Sequence, residues 1–199
     1  MHTTTNNNQN SGVVVYLRNK IQVTSIEPLF NDANCLILKL GQHTAIVNIY
    51  RSPSFKNLHN FITSLNTTLD SLAGFPNITV VGDINIDIKS GSADPHLADY
   101  LNTLASHGLL PAHTLGTREN SCLDHFIIKT SNPITTLVLN TLITDHRPVL
   151  LIASNCLDIS SPQPHTVNRL DYNSVCSDLS ETDWKPILEC TDADRATNL

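Results

Sequence analysis

The chain has 199 residues, 40% of them apolar and 15% charged, enough for one domain with a real hydrophobic core. It contains no apolar run of the length that spans a bilayer, and its start, MHTTTNNNQN, lacks the basic and apolar regions of a signal peptide. The net charge of −6 is uneven: residues 1–155 hold nine Lys and Arg against ten Asp and Glu, and residues 156–199 hold three against eight. The main body therefore lacks the broad basic face of a tight nonspecific nucleic-acid binder, and any such contact must be local or bridged by metal. Five scattered cysteines without a CxxC pair argue against a zinc site or disulfide framework, and point to a reducing, intracellular compartment, nuclear or cytoplasmic.

In chain order, residues 1–10 read as a disordered polar head. SGVVVYL (11–17), NKIQVTSI (19–26), CLILKL (35–40) and TAIVNIY (44–50) follow as strands at hairpin-like spacing. RSPS then breaks the pattern. Residues 55–74 change period: Leu58, Phe61, Ile62, Leu65, Leu69 and Leu72 recur at threes and fours and predict an amphipathic helix, ended by Gly74 and Pro76. The next strand is NITVVGDI. Asp94 before Pro95 reads as a cap, opening a helix with the stripe Leu97, Tyr100, Leu101 and Leu104, stopped by Gly108. CLDHFIIK (122–129), ITTLVLN (134–140) and RPVLLIA (147–153) predict three more strands. The mixture favours a layered α/β sandwich. Residues 156–170 read as a linker, and 171–198 as an acidic, partly helical connector.

The stretch VVGDINIDI (80–88) places Asp83, Asn85 and Asp87 at every second position. Continued as a strand, this alternation puts all three on one face. Two carboxylates on one side of a buried strand repel and lose hydration, and a divalent cation would compensate. A polar turn after the strand, with Asp as a cap, explains the spacing as simply. Three other clusters sit at strand ends: Tyr50-Arg51-Ser52-Pro53, Ser121-Cys122-Leu123-Asp124-His125, and Thr144-Asp145-His146-Arg147-Pro148. A His beside a carboxylate can be held in one tautomer and can accept a proton or donate to a phosphoryl oxygen. Taken alone, the two Asp-His pairs read more simply as polar turns, Tyr50 as an amphipathic core residue with its hydroxyl at the surface, and Arg51 as a solvated side chain.

The order IYRSP, GDIN, SCLDHF, TDHRPV resembles the endonuclease/exonuclease/phosphatase family, most of all the endonuclease domain of non-LTR (LINE-type) retrotransposon polyproteins. The resemblance spans about residues 11–153, within a domain of 11–155. It implies a DNase I-like sandwich of two mixed sheets flanked by helices, and Mg²⁺- or Mn²⁺-dependent hydrolysis of a DNA phosphodiester. In that scheme Asp83 orients or deprotonates the attacking water, Asn85 positions water and phosphate, and Tyr50 lies near the leaving group. His146 stabilises the phosphate charge, oriented by Asp124, while Asp145 contributes to the metal environment or orients His146. Arg51 and Ser121 would contact substrate, and Asp87 would have a structural turn or cap role. Ile84, Thr144 and His125 depart from the family pattern.

The family's first Asn and its metal-binding Glu have no counterpart here. The resemblance therefore implies a chain lacking its first strands, about 40 to 60 residues by ordinary element lengths. It also implies weakened metal binding, and a fragment or degenerate copy with poor or no activity. The tail resembles the connector toward a reverse transcriptase, the implied fused partner; no membrane partner is implied. Two alternatives are a non-catalytic binding or scaffold remnant, and a phosphatase of the same superfamily acting on phospholipid or inositol phosphates. The Tyr-Arg-Ser-Pro segment and the acidic tail weigh against the phosphatase.

Overall fold

The apolar runs in residues 35–40 and 44–50 fold as the central hairpin of a six-stranded sheet. In this computed structural model β4 (Asn34–Leu40) and β5 (Thr44–Tyr50) pair antiparallel across the turn at Gly41. The structure describes residues 1–4, 12–18, 21–89, 95–141, 143–154 and, in the tail, Ser177, Ser180, Glu181, Asp183 and Lys185. The chain divides into two compact units, Met1–Asp158 and Ile159–Leu199.

In the first unit the other elements are β1 (His2–Thr3), β2 (Val14–Val15), β3 (Thr24–Ile26), α1 (Leu58–Asp70), β6 (Asn77–Asp83), α2 (Pro95–Ser106), β7 (Leu110–Pro111), β8 (Asp124–Lys129), β9 (Ile134–Val138) and β10 (Val149–Ala153). The sheet order is β3-β4-β5-β6-β8-β7. Only β5 and β6 run parallel, joined through α1, so the sheet is mixed and the architecture α/β. Beyond this sheet, the described residues form two antiparallel pairs, β1–β2 and β9–β10.

Alternation sends one set of strand side chains to the helices. Cys35, Ile37, Ala45, Val47, Ile49, Ile78, Val80 and Ile127 form one core with Phe61, Leu65 and Leu69 of α1 and Leu97, Tyr100 and Leu104 of α2. The residues between them on each strand make the opposite face. On that face Asp83 and Asp124 stand directly across from each other, and Asn34 pairs with Tyr50.

The helices fall where the apolar stripes predict. Asn57 caps α1, its side chain accepting from the Asn60 N–H at 3.1 Å. That helix ends at Asp70, short of the expected Gly74, because Ser71 closes the last turn onto the Thr67 and Thr68 carbonyls. The two early strands are shorter than their β-rich sequences suggest, two and three residues long. His2–Thr3 of the polar head pair with Val14–Val15. The rest of that head, the Asp94 cap and nearly all of the acidic tail lie outside the described residues.

Gly82 is fixed by sterics. Its φ is +137°, and a Cβ there would lie 1.9 Å from the Ile49 carbonyl oxygen of the neighbouring parallel strand. Gly82→Ala is expected to cost about 3 kcal/mol or more, lowering the thermal midpoint by roughly 6 °C or more. Gly74→Ala, whose Cβ meets nothing within 4 Å, is the control and should change stability by less than about 0.5 kcal/mol.

Candidate active site

At Asp83 the strand stops. Asn85 has φ +53°, a left-handed conformation that Asn tolerates better than most residues. Of the two readings of the alternation, one strand face or a polar turn after the strand, the structure shows the turn. Asp83 and Asn85 meet because the Asn85 N–H donates to Asp83 Oδ1 at 3.2 Å. The Asn85 amide donates to the Arg51 carbonyl at 2.8 Å, and the Arg51 N–H donates to the Asp83 carbonyl at 2.9 Å. Together these bonds bind the ends of β5 and β6. Asp87 points elsewhere, its Oδ1 accepting from the N–H groups of Cys122 (2.9 Å) and Lys89 (3.0 Å), a structural turn role.

Asp124 opens β8, opposite Asp83. Its carboxylate lies 2.9 Å from His146 Nδ1. A carboxylate only accepts, so Nδ1 carries the proton and Nε2 is the outward-facing nitrogen. Asp83, Asp124 and His146, all half-buried, offer ligand atoms within 4.8 Å of one another. Burial, and next the Asp124 charge, raise the Asp83 pKa above its ordinary value; His146 opposes this.

Thr117 completes the frame, and nothing in the sequence distinguishes it from any loop threonine. It is fully buried, and its Oγ1 accepts from the backbone N–H groups of both Leu123 and Asp124 at 3.0 Å. Its carbonyl accepts from the Arg147 N–H at 2.7 Å. One residue thus ties the segment carrying Asp124 to the segment carrying His146.

The other predicted site residues separate into two groups. Tyr50 ends β5, half-buried, on the Asp83 side of the hairpin. Three residues do not join the cluster. The exposed Asp145 carboxylate forms an ion pair with Arg118 at 2.7 Å and is not among the three converging groups. Arg51, expected to touch substrate, is 7% exposed, donates to the Phe55 carbonyl and lies over the Phe61 ring. Its guanidinium belongs to the core because Phe61 and Phe55 give it a face and an acceptor there. Ser121 sits in a tight turn, bridged through its backbone to Arg118 and Thr117.

The donor set fits a hard divalent cation. Two adjacent carboxylates repel without one, and Mg²⁺ or Mn²⁺ prefers such oxygens. A raised native pKa means that Asp83 favours folding below its unfolded pKa and loses that contribution as pH rises through the native value. At pH 7 without metal, Asp83→Asn is therefore expected to raise the thermal midpoint, by a degree or more on the scale of roughly 2–4 °C per kcal/mol for a chain of this size. The same substitution should abolish any rise produced by millimolar Mn²⁺. Scanning calorimetry with and without EDTA reads both outcomes.

No model of a known protein family matches the sequence, and no curated protein matches it. Among solved structures, the chain is similar to the endonuclease domain of TRAS1, a telomere-specific non-LTR retrotransposon: TM-score 0.51, 16% identity, covering 67% of this chain and 68% of that one. It is also similar to the Haemophilus ducreyi cytolethal distending toxin, with TM-score 0.48 and 16% identity over 68% of this chain and 59% of that one. With its mixed sheet and flanking helices, the chain has the DNase I-like α/β fold of the TRAS1 endonuclease domain.

Proposed function

We propose that this chain is a metal-dependent DNA endonuclease domain that nicks one strand by hydrolysing a phosphodiester. In the setting of a non-LTR element, such a nick would serve a reverse transcriptase. The observation that carries the reading is the convergence of Asp83, Asp124 and His146 within 4.8 Å at the ends of β6 and β8 and just before β10. Those residues are far apart in sequence, and the fold likeness to an endonuclease domain adds to the reading.

Asp83 and Asp124 would hold the divalent cation, which supplies Lewis-acid polarisation of the phosphoryl oxygen. The chain's own groups do the rest. Asp83 orients the attacking water and draws its proton. His146, its Nδ1–H held by Asp124, presents Nε2 to a phosphoryl oxygen and stabilises its growing charge when protonated. Asn85 keeps Asp83 aligned through its N–H. The Tyr50 hydroxyl borders the leaving-group side. Two carboxylates make a sparse ligand set, so the cation is held weakly and the reaction is slow.

Supercoiled plasmid incubated with the full chain and millimolar Mg²⁺ or Mn²⁺ should convert to open circles, and EDTA should stop the conversion. Asp83→Ala and His146→Ala should each reduce the rate by about 10²-fold or more. Asp145→Ala, which removes only an exposed ion pair, should change it by no more than about five-fold. Open circles that form equally with Asp83→Ala, or not at all at any concentration of either metal, overturn the nuclease reading; in the second case a binding role replaces it.

A further inference from the structure

His125 faces away from Asp83 and Asp124, yet it holds the segment that carries them. Its position opposite Gly82 directs it to the helix side of the sheet, where it is 1% exposed. Nδ1 lies 2.9 Å from the Tyr100 hydroxyl of α2. Nε2 lies 2.9 Å from the Ile86 carbonyl and 3.1 Å from the Cys122 carbonyl. Both carbonyls only accept, so Nε2 carries the proton and Nδ1 accepts from Tyr100. Burial pushes the His125 pKa down to about 4, which keeps the ring neutral and this tautomer in place.

The Ile86 carbonyl belongs to the turn that begins at Asp83 and Asn85. That turn has lost its strand partners, and few bonds lay it against β8. The Ile84 N–H donates to the Leu123 carbonyl at 3.0 Å, and the Ile88 N–H donates to the Cys122 carbonyl at 3.3 Å. Between these two bonds, His125 donates to the Ile86 carbonyl, and Asp87 Oδ1 accepts from the Cys122 N–H at 2.9 Å. Tyr100 in turn is fully buried, its ring 6.1 Å from Phe61 of α1. The clamp therefore runs from the helix layer, through one imidazole, to the turn.

We infer that His125 is a positioning residue for the proposed reaction: by gripping the Ile86 carbonyl and leaning on Tyr100, it sets where Asp83 and Asn85 stand relative to Asp124. The inference rests on the nuclease reading, and its test has a readout that does not. Side chains that orient a site through its direct ligands commonly change activity by 10- to 100-fold when replaced, and a displacement of about 1 Å can have the same effect.

His125→Leu keeps the volume and removes the donor; His125→Gln returns an N–H near the Nε2 position. Plasmid nicking by the full chain in Mn²⁺ should show kcat reduced about 10- to 100-fold in His125→Leu with KM little changed, and largely restored in His125→Gln. Amide hydrogen exchange, followed without metal, should accelerate at Ile84 and Ile88 in His125→Leu, stay as in the parent across β4 and β5, and recover in His125→Gln. If His125→Leu does not fold, Tyr100→Phe, which deletes one hydroxyl, should show the same local acceleration in milder form. Unchanged kcat and local exchange in these variants, or exchange that rises uniformly with no advantage for Gln over Leu, overturns the clamp. If the parent chain never nicks, the nuclease reading falls, and the local exchange pattern alone still decides whether His125 holds the turn.

Discussion

Two carboxylates face each other because the rest of the sheet leaves them no choice. The β6–β8 register pairs Val80 with Ile127 on the helix side, and the same register pairs Asp83 with Asp124 at the strand ends. A slip of one residue would turn Val80 and Ile127 out of the core. The core therefore enforces a like-charge pair that would be unfavourable on its own. The surrounding arrangement answers that pair: the His146 imidazole beside Asp124, the Asn85 N–H on Asp83, and a donor set that suits a cation. The same pair also governs encounter with a polyanion. Arg51 is buried and Arg118 is matched to Asp145, so neither guanidinium offsets the two carboxylates at close range. In the proposed function, cation binding then serves approach as well as chemistry.

Much of this was legible in the residues, for identifiable reasons. The stripes Leu58-Phe61-Leu65-Leu69 and Leu97-Tyr100-Leu104 announce α1 and α2 because one face of each is truly buried. The strands around residues 35–50, 124–129, 134–138 and 149–153 show as apolar runs because they are central or paired along their length. At Asn85 the residues left a strand and a turn equally open: Ile84 and Ile86 are buried just as strand residues would be, so the alternation survives while the backbone does not. Leu110–Pro111 escaped notice because a two-residue edge strand containing proline carries no period.

The site divides along the same line. Motif order brought Asp83, Asp124 and His146 into one expectation, and they lie together. Arg51 and Asp145 entered the expectation through the same motif resemblance, and motif order says nothing about side-chain direction. One residue along a strand reverses the face, which sends Arg51 into the core beside Phe61 while Tyr50 stays on the other side. Asp145 turns out to solvent, where Arg118 meets it. Thr117 and His125 could not be found from pattern, since their roles lie in hydrogen bonds to backbone groups that no spacing in the sequence marks.

The Thr117 tie has a consequence for motion. Its hydroxyl holds Leu123 and Asp124 while its carbonyl holds Arg147, so two chain segments share a single anchor point. The backbones that carry Asp124 and His146 are thereby referred to one point, and the bond between imidazole and carboxylate is made from a fixed base. The entropy of aligning them is lost once, on folding, and is not lost again each time a ligand arrives.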